Sequence, residues 1–147
     1  MGVFQRIGDI LKANINDLID RAEDPEKMVK QIILDLQKEV SQSTQALGKA
    51  MASQRIAERQ YQTAQKTSAD WESKVALNAG DTELAKRALA NKVKADQDVE
   101  SCKQMYDTIT TQTDAIRDQV EALKAKLDEA KSRQAMLLAR SQMAKTQ

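Results

Sequence analysis

The chain contains no histidine and only one cysteine, Cys102, so it lacks the residue types that hold a zinc ion or build a histidine-activated nucleophile. Neither a GxxxxGK run followed by Ser or Thr nor a GxGxxG run occurs, which removes the two common Gly-rich phosphate cradles. The many carboxylates fall at outward positions of a seven-residue repeat, where they serve as solvated groups and as ion pairs between neighbouring helices. Cys102 falls on the inward side of that repeat and is expected to pack as a small apolar residue. No catalytic residue, metal site or cofactor is expected, and a non-enzymatic protein follows. What chemistry remains is that of apolar surface presented by helices.

The composition fits such helices. Of 147 residues, 41% are hydrophobic, 3% aromatic and 31% charged, with four Gly and one Pro. That mixture cannot fill a wide core and suits long helices packed along narrow seams. The formal net charge of +1 and the absence of basic runs interleaved with aromatics argue against nucleic-acid binding. One cysteine forms no intrachain disulfide, and MGVFQRIGDI lacks the layout of a signal peptide, so a reducing, cytosolic setting is expected. No apolar run is long enough to span a bilayer, which leaves open lying on its surface.

Two breaks interrupt the helical pattern. At Asp24-Pro25 an aspartate suited to capping precedes a proline suited to the first helical position. At Asn78-Ala79-Gly80-Asp81, Gly80 is expected to take the left-handed conformation that ends a helix, and Asp81 to cap the next one. Between and after these breaks a strict repeat of seven can be counted. One helix carries Val29, Leu36, Ser43, Ala50, Ala57, Ala64 and Trp71 with Ile33, Val40, Leu47, Gln54, Tyr61, Ser68 and Val75. The next carries Val99, Tyr106, Thr113, Val120, Leu127 and Gln134 with Cys102, Ile109, Ile116, Leu123, Ala130 and Leu137. Such a repeat implies knobs-into-holes packing in an antiparallel coiled-coil hairpin, roughly 80 Å long at about 1.5 Å per residue.

The fold class read from the chain is therefore all-α: an N-terminal amphipathic helix over residues 1–22, then a hairpin over 23–147 with helices at 25–78 and 82–145 and a turn at 79–81. A fold centred on Gly80 sets Trp71 near Leu89, Tyr61 near Val99, Val40 near Val120 and Ile33 near Leu127. Residues after Lys131 then extend past the start of the facing helix, so Leu137, Leu138 and Met143 lack an intrachain partner and are expected to contact other subunits. The chain ends in Ala144-Lys145-Thr146-Gln147 with neither cap nor breaker, so continuation in a longer protein is expected.

Over residues 2–20, Val3, Phe4, Ile7, Ile10, Leu11, Ile15, Leu18 and Ile19 recur at helical spacing, opposite Arg6, Asp9, Lys12, Asn16, Asp17 and Asp20. This predicts one amphipathic helix with a wide apolar face. The face either docks on the hairpin or lies in a membrane interface. The counted seam uses none of residues 1–20, so the hairpin is expected to form without them.

Met1-Gly2-Val3-Phe4, Ala13-Asn14-Ile15-Asn16 and Ala22-Glu23-Asp24-Pro25-Glu26-Lys27-Met28 resemble the N-terminus of phage shock protein A and its relative, the vesicle-inducing protein in plastids. The likeness continues through Trp71-Glu72, Leu84-Ala85-Lys86-Arg87-Ala88-Leu89 and Ala130-Lys131-Ser132-Arg133-Gln134. The resemblance implies a bacterial, cytoplasmic protein of the ESCRT-III superfamily, peripheral on the inner face of the cell membrane. It implies a homo-oligomer that polymerises into rings or helical rods on anionic phospholipid and protects or remodels the membrane under envelope stress. In some members the first helix and hairpin also bind and inhibit an AAA+ transcription activator. Carried over by position, Phe4, Ile7, Ile10, Leu11, Ile15 and Leu18 would insert into the membrane, with Arg6 and Lys12 beside the headgroups, and Glu23, Asp24 and Pro25 would form a hinge.

Overall fold

The structure is a computed structural model that describes Phe4 and residues 6–146. Every element among the described residues is a helix: α1 (Ile7–Lys12), α2 (Ile15–Arg21), α3 (Pro25–Leu77) and α4 (Thr82–Thr146). The chain forms two compact units, one of Met1–Leu47 with Ile116–Gln147 and the other of Gly48–Ala115. In each, α3 and α4 run antiparallel, as the all-α hairpin reading requires.

The caps explain where the long helices begin. The Asp24 side chain accepts the Lys27 N–H at 3.2 Å, and Pro25 opens α3 where its missing N–H costs nothing. Asp81 accepts the N–H groups of Glu83 and Leu84 at 3.1 and 3.2 Å and so starts α4. Between them α3 ends without a left-handed residue, because no described glycine has a positive φ. The expected role of Gly80 is corrected accordingly. The Asn78 side chain instead donates to the Lys74 carbonyl at 2.8 Å, and the Asp81 N–H donates to the Asn78 carbonyl at 2.9 Å.

In the unit of Gly48–Ala115, the seam follows the seven-residue series but in a shifted register. Gln54 donates to Thr110 at 3.1 Å, the Ser68 hydroxyl donates to Asp96, and the Thr113 hydroxyl reaches the Ala50 carbonyl at 3.4 Å. Tyr61 stacks on Tyr106 with ring centroids 6.2 Å apart, not on Val99. Paired positions thus fall about one helical turn beyond those set by folding at Gly80. Seam packing, not the midpoint of the turn, fixes the register. Ala88 and Ala95, which continue the Cys102 series toward the turn, are the buried residues there, whereas Leu89 is 50% exposed. Leu89 lies one residue off the series, which corrects its pairing with Trp71. Lys74 lies over the partly buried Trp71 ring instead, 4.2 Å from its centroid.

In the unit of Met1–Leu47 with Ile116–Gln147, the core is thicker. Ile10, Ile15 and Ile19 are buried together with Val29, Ile32, Ile33, Leu36, Leu123 and Ala130, and Leu127 and Leu137 pack against them. Complete burial of an Ile contributes about 1.5–3 kcal/mol, so α1 and α2 belong to this core. Residues of the leading segment thus share this unit's core with the counted seam. Leu137 likewise has an intrachain partner, while Leu138 and Met143 stay 51% and 64% exposed.

Ile19→Ala should destabilise the chain by about 2–5 kcal/mol, because a cavity is left at a fully buried position. Leu34→Ala, at a position 56% exposed, should change stability by no more than about 0.5 kcal/mol. Urea unfolding followed by circular dichroism measures both, and equal effects would contradict this core.

Candidate functional site: the docked N-terminal segment

The apolar residues singled out in the sequence meet on one segment, but not on one helix. Ile10 and Ile15 would sit about 140° apart around a continuous helix, so both could not be fully buried against the same two partners. The chain resolves this by breaking at Ala13-Asn14. Ala13 is extended at the end of α1, and Asn14 caps α2 by accepting the Asp17 N–H at 3.0 Å. Asparagine favours this cap over a helix interior, a local signal that the apolar periodicity overrode in predicting one helix. The start of that helix at Gly2, with Val3, lies outside the described residues.

With the break in place, the deepest residues of the segment are Ile10, Ile15 and Ile19, all facing α3 and α4. Phe4, Ile7, Leu11 and Leu18 pack at the margin and remain partly open to solvent, while Arg6 and Lys12 are exposed. Of the two readings of the apolar face, docking on the hairpin is the arrangement in this structure. Ile32 carries the same message: it is fully buried yet off the hairpin seam, because it faces the segment.

Polar groups rim the docked face. Lys126 Nζ donates to the Ala13 carbonyl at 2.6 Å, at the break itself, where that carbonyl has left the helical ladder. Asn16 donates to Glu129 Oε1 at 3.3 Å, and the Arg133 guanidinium pairs with Asp20. Each partner lies 113 residues further along the chain. A constant offset means that the segment runs parallel to α4, with matching three- and four-residue steps on both. Sequence reading assigned no role to Lys126, Glu129 or Arg133, since nothing local marks them among many surface charges.

At Glu23, Asp24 and Pro25 the chain passes from α2 to α3, with Glu23 and Asp24 exposed. Elsewhere the surface offers little chemistry. A groove of about 600 Å³ in the other unit is lined by Ile56, Ala64, Ala95 and Cys102 among others, with Cys102 partly buried on the seam. Within that unit Lys92 and Asp96 pair at 2.8 Å. Their hydrogen bond raises the Lys92 pKa, and it lowers that of Asp96 together with the bond from Ser68. Among the described residues no cluster of His, Cys, Asp or Glu could hold a metal ion, and no helix is long and apolar enough to cross a membrane.

Comparison with known proteins places this helical chain among its relatives. The family model for the PspA/IM30 family matches residues 2–147. The chain belongs to the PspA/IM30 family. It is 38% identical to the membrane-associated protein Vipp1 of Nostoc punctiforme over 149 residues, which cover all of this chain and 58% of that protein. It is 33% identical to a phage shock protein A homologue of Deinococcus radiodurans, covering 98% of this chain and 66% of the relative. The protein LiaH of Bacillus subtilis is 26% identical over 97% of the chain and 64% of its own length. The chain thus spans less than two thirds of the length of these PspA/IM30 relatives. The first of these is named for membrane association and the second for phage shock.

Asn14→Ala should cost about 0.5–2 kcal/mol through loss of the α2 cap. Asn16→Ala, which leaves the cap intact, should cost less. Chemical denaturation of the two variants tests whether the break at Asn14 is built by that residue; equal costs would count against it.

Proposed function

We propose that this chain is a peripheral membrane protein that assembles with copies of itself into rings or helical rods on anionic lipid, and so protects or remodels the membrane under envelope stress. The observation that carries the reading is the amphipathic leading segment of a PspA/IM30 chain with relatives named membrane-associated protein Vipp1 and phage shock protein A homologue. Phe4, Ile7, Leu11 and Leu18 keep part of their surface open at the margin of the docked segment. In the membrane-bound state Ile10 and Ile15 join them at the boundary of headgroup and acyl chain, with Arg6 and Lys12 toward the phosphates. Glu23, Asp24 and Pro25 act as the hinge. The binding side is the cytoplasmic face of the cell membrane. Apolar insertion supplies most of the affinity, because Arg6 and Lys12 are offset by Asp9, Asp17 and Asp20.

Replacing Phe4, Ile7 or Leu11 by Glu places a carboxylate at the hydrocarbon boundary, at a cost of about a few kcal/mol. Because these residues also pack against the core, the variants should melt somewhat earlier. Sedimentation with anionic vesicles should nevertheless fall sharply while the helical circular dichroism at room temperature persists. Undiminished sedimentation would end the membrane role of this segment.

Leu138 and Met143 are exposed near the end of α4, and we assign them, with the outer side of Leu137, to contacts between copies. Leu138→Glu together with Met143→Glu should lower the mass measured by light scattering without altering the hairpin; an unchanged mass would remove these residues from the interface. A second reading, that the segment and hairpin hold an AAA+ transcription activator in check, is separated from the first by pull-down of such an ATPase with loss of its hydrolysis.

A further inference from the structure

The apolar residues that would meet a membrane are the same residues that dock on α3 and α4. Ile10, Ile15 and Ile19 are buried in the core, so one side of this segment cannot serve both surfaces at once. We infer that the docked segment is an autoinhibitory strap, closed by the contacts of Lys126 with Ala13, Glu129 with Asn16 and Arg133 with Asp20, and that binding to a lipid surface requires it to open. This inference rests on the membrane reading given above.

The contacts have the character of a latch. They lie on the rim, where Arg133 and Asp20 retain partial exposure, so water and salt can compete for them. Two of the three latch residues on α4 are cations. Anionic headgroups offer Lys126 and Arg133 the same kind of partner that Ala13 and Asp20 supply in the closed strap. Lipid therefore competes for both halves of the clasp, apolar and polar. A ligand that binds only the open form has its apparent affinity reduced by the fraction of chains that are open. The latch thereby sets how much anionic surface is needed before the protein binds.

Charge arithmetic separates this device from simple electrostatics. Arg133→Asp makes the hairpin more acidic, so direct attraction to anionic vesicles should weaken. If the strap controls access, the same change should raise binding by about two- to fivefold, the worth of an exposed ion pair. Adding Asp20→Arg to Arg133→Asp restores the pair in reverse and should return binding to the level of the parent chain.

The test measures sedimentation of the full chain with phosphatidylcholine/phosphatidylglycerol vesicles, alongside amide hydrogen exchange over residues 7–21 without lipid. A second arm places Asn16→Cys and Glu129→Cys in a Cys102→Ser background and compares the oxidised and reduced forms. Support consists of faster exchange and stronger binding for Arg133→Asp, recovery in the reversed pair, and loss of binding on oxidation that reductant restores. Equal binding by the oxidised and reduced forms, or weaker binding by Arg133→Asp despite faster exchange, would overturn the strap while leaving the membrane role standing. Absence of vesicle binding in the parent, in Arg133→Asp and in the reduced cysteine pair, with exchange confirming that the segment is open, would overturn both.

Discussion

A pair of helices packed along one seam cannot surround a large side chain, and the rest of this structure follows from that constraint. In the unit of Gly48–Ala115 the buried seam residues are small, with Ala57, Ala88 and Ala95 at the contact, and larger seam residues such as Tyr61, Tyr106 and Trp71 keep one edge in water. Complete burial of large aliphatic side chains is found where a third helical segment closes the open side. Val29, Ile32, Leu36 and Leu123 reach that state beside Ile10, Ile15 and Ile19. Each such side chain contributes about 1.5–3 kcal/mol, so stability is concentrated in this one place.

The period of seven was legible in the sequence because it depends on residue type alone. Every counted seam position, from Val29 to Val75 and from Val99 to Leu137, is buried or partly buried. Register was less legible, because Ala88 and Ala95 carry little apolar signal and Leu89, one position away, carries much. Hydrophobicity marks which residue prefers to be inside; the size that fits between two close backbones is decided by the partner. The break at Asn14 was hidden for a related reason: a single capping side chain outweighed a stripe that reads as continuous.

The candidate site shows the same division. Its apolar residues were all found by their spacing, yet the rim contacts of the docked segment come from Lys126, Glu129 and Arg133, whose partners lie 113 residues away. Ile32 was the nearest thing to a local clue, since an apolar residue adjacent to a seam position requires a third surface to cover it. Apolar area holds the segment down, and the rim contacts fix its direction and its level along α4. Loss of a rim contact therefore alters how the segment is placed and released more than whether the hairpin exists.

The offset of 113 residues has a consequence in time. The turn at Asn78–Asp81 joins partners that are near neighbours in sequence, and helical pairing can spread from it as α4 lengthens. The segment of α1 and α2 is made first, but Lys126, Glu129 and Arg133 are made more than a hundred residues later. At ordinary elongation rates that interval is on the order of ten seconds. Throughout it Ile10, Ile15 and Ile19 have no hairpin to cover them. Every newly made chain thus passes through a period in which its most apolar surface is on offer to whatever lies beside the ribosome.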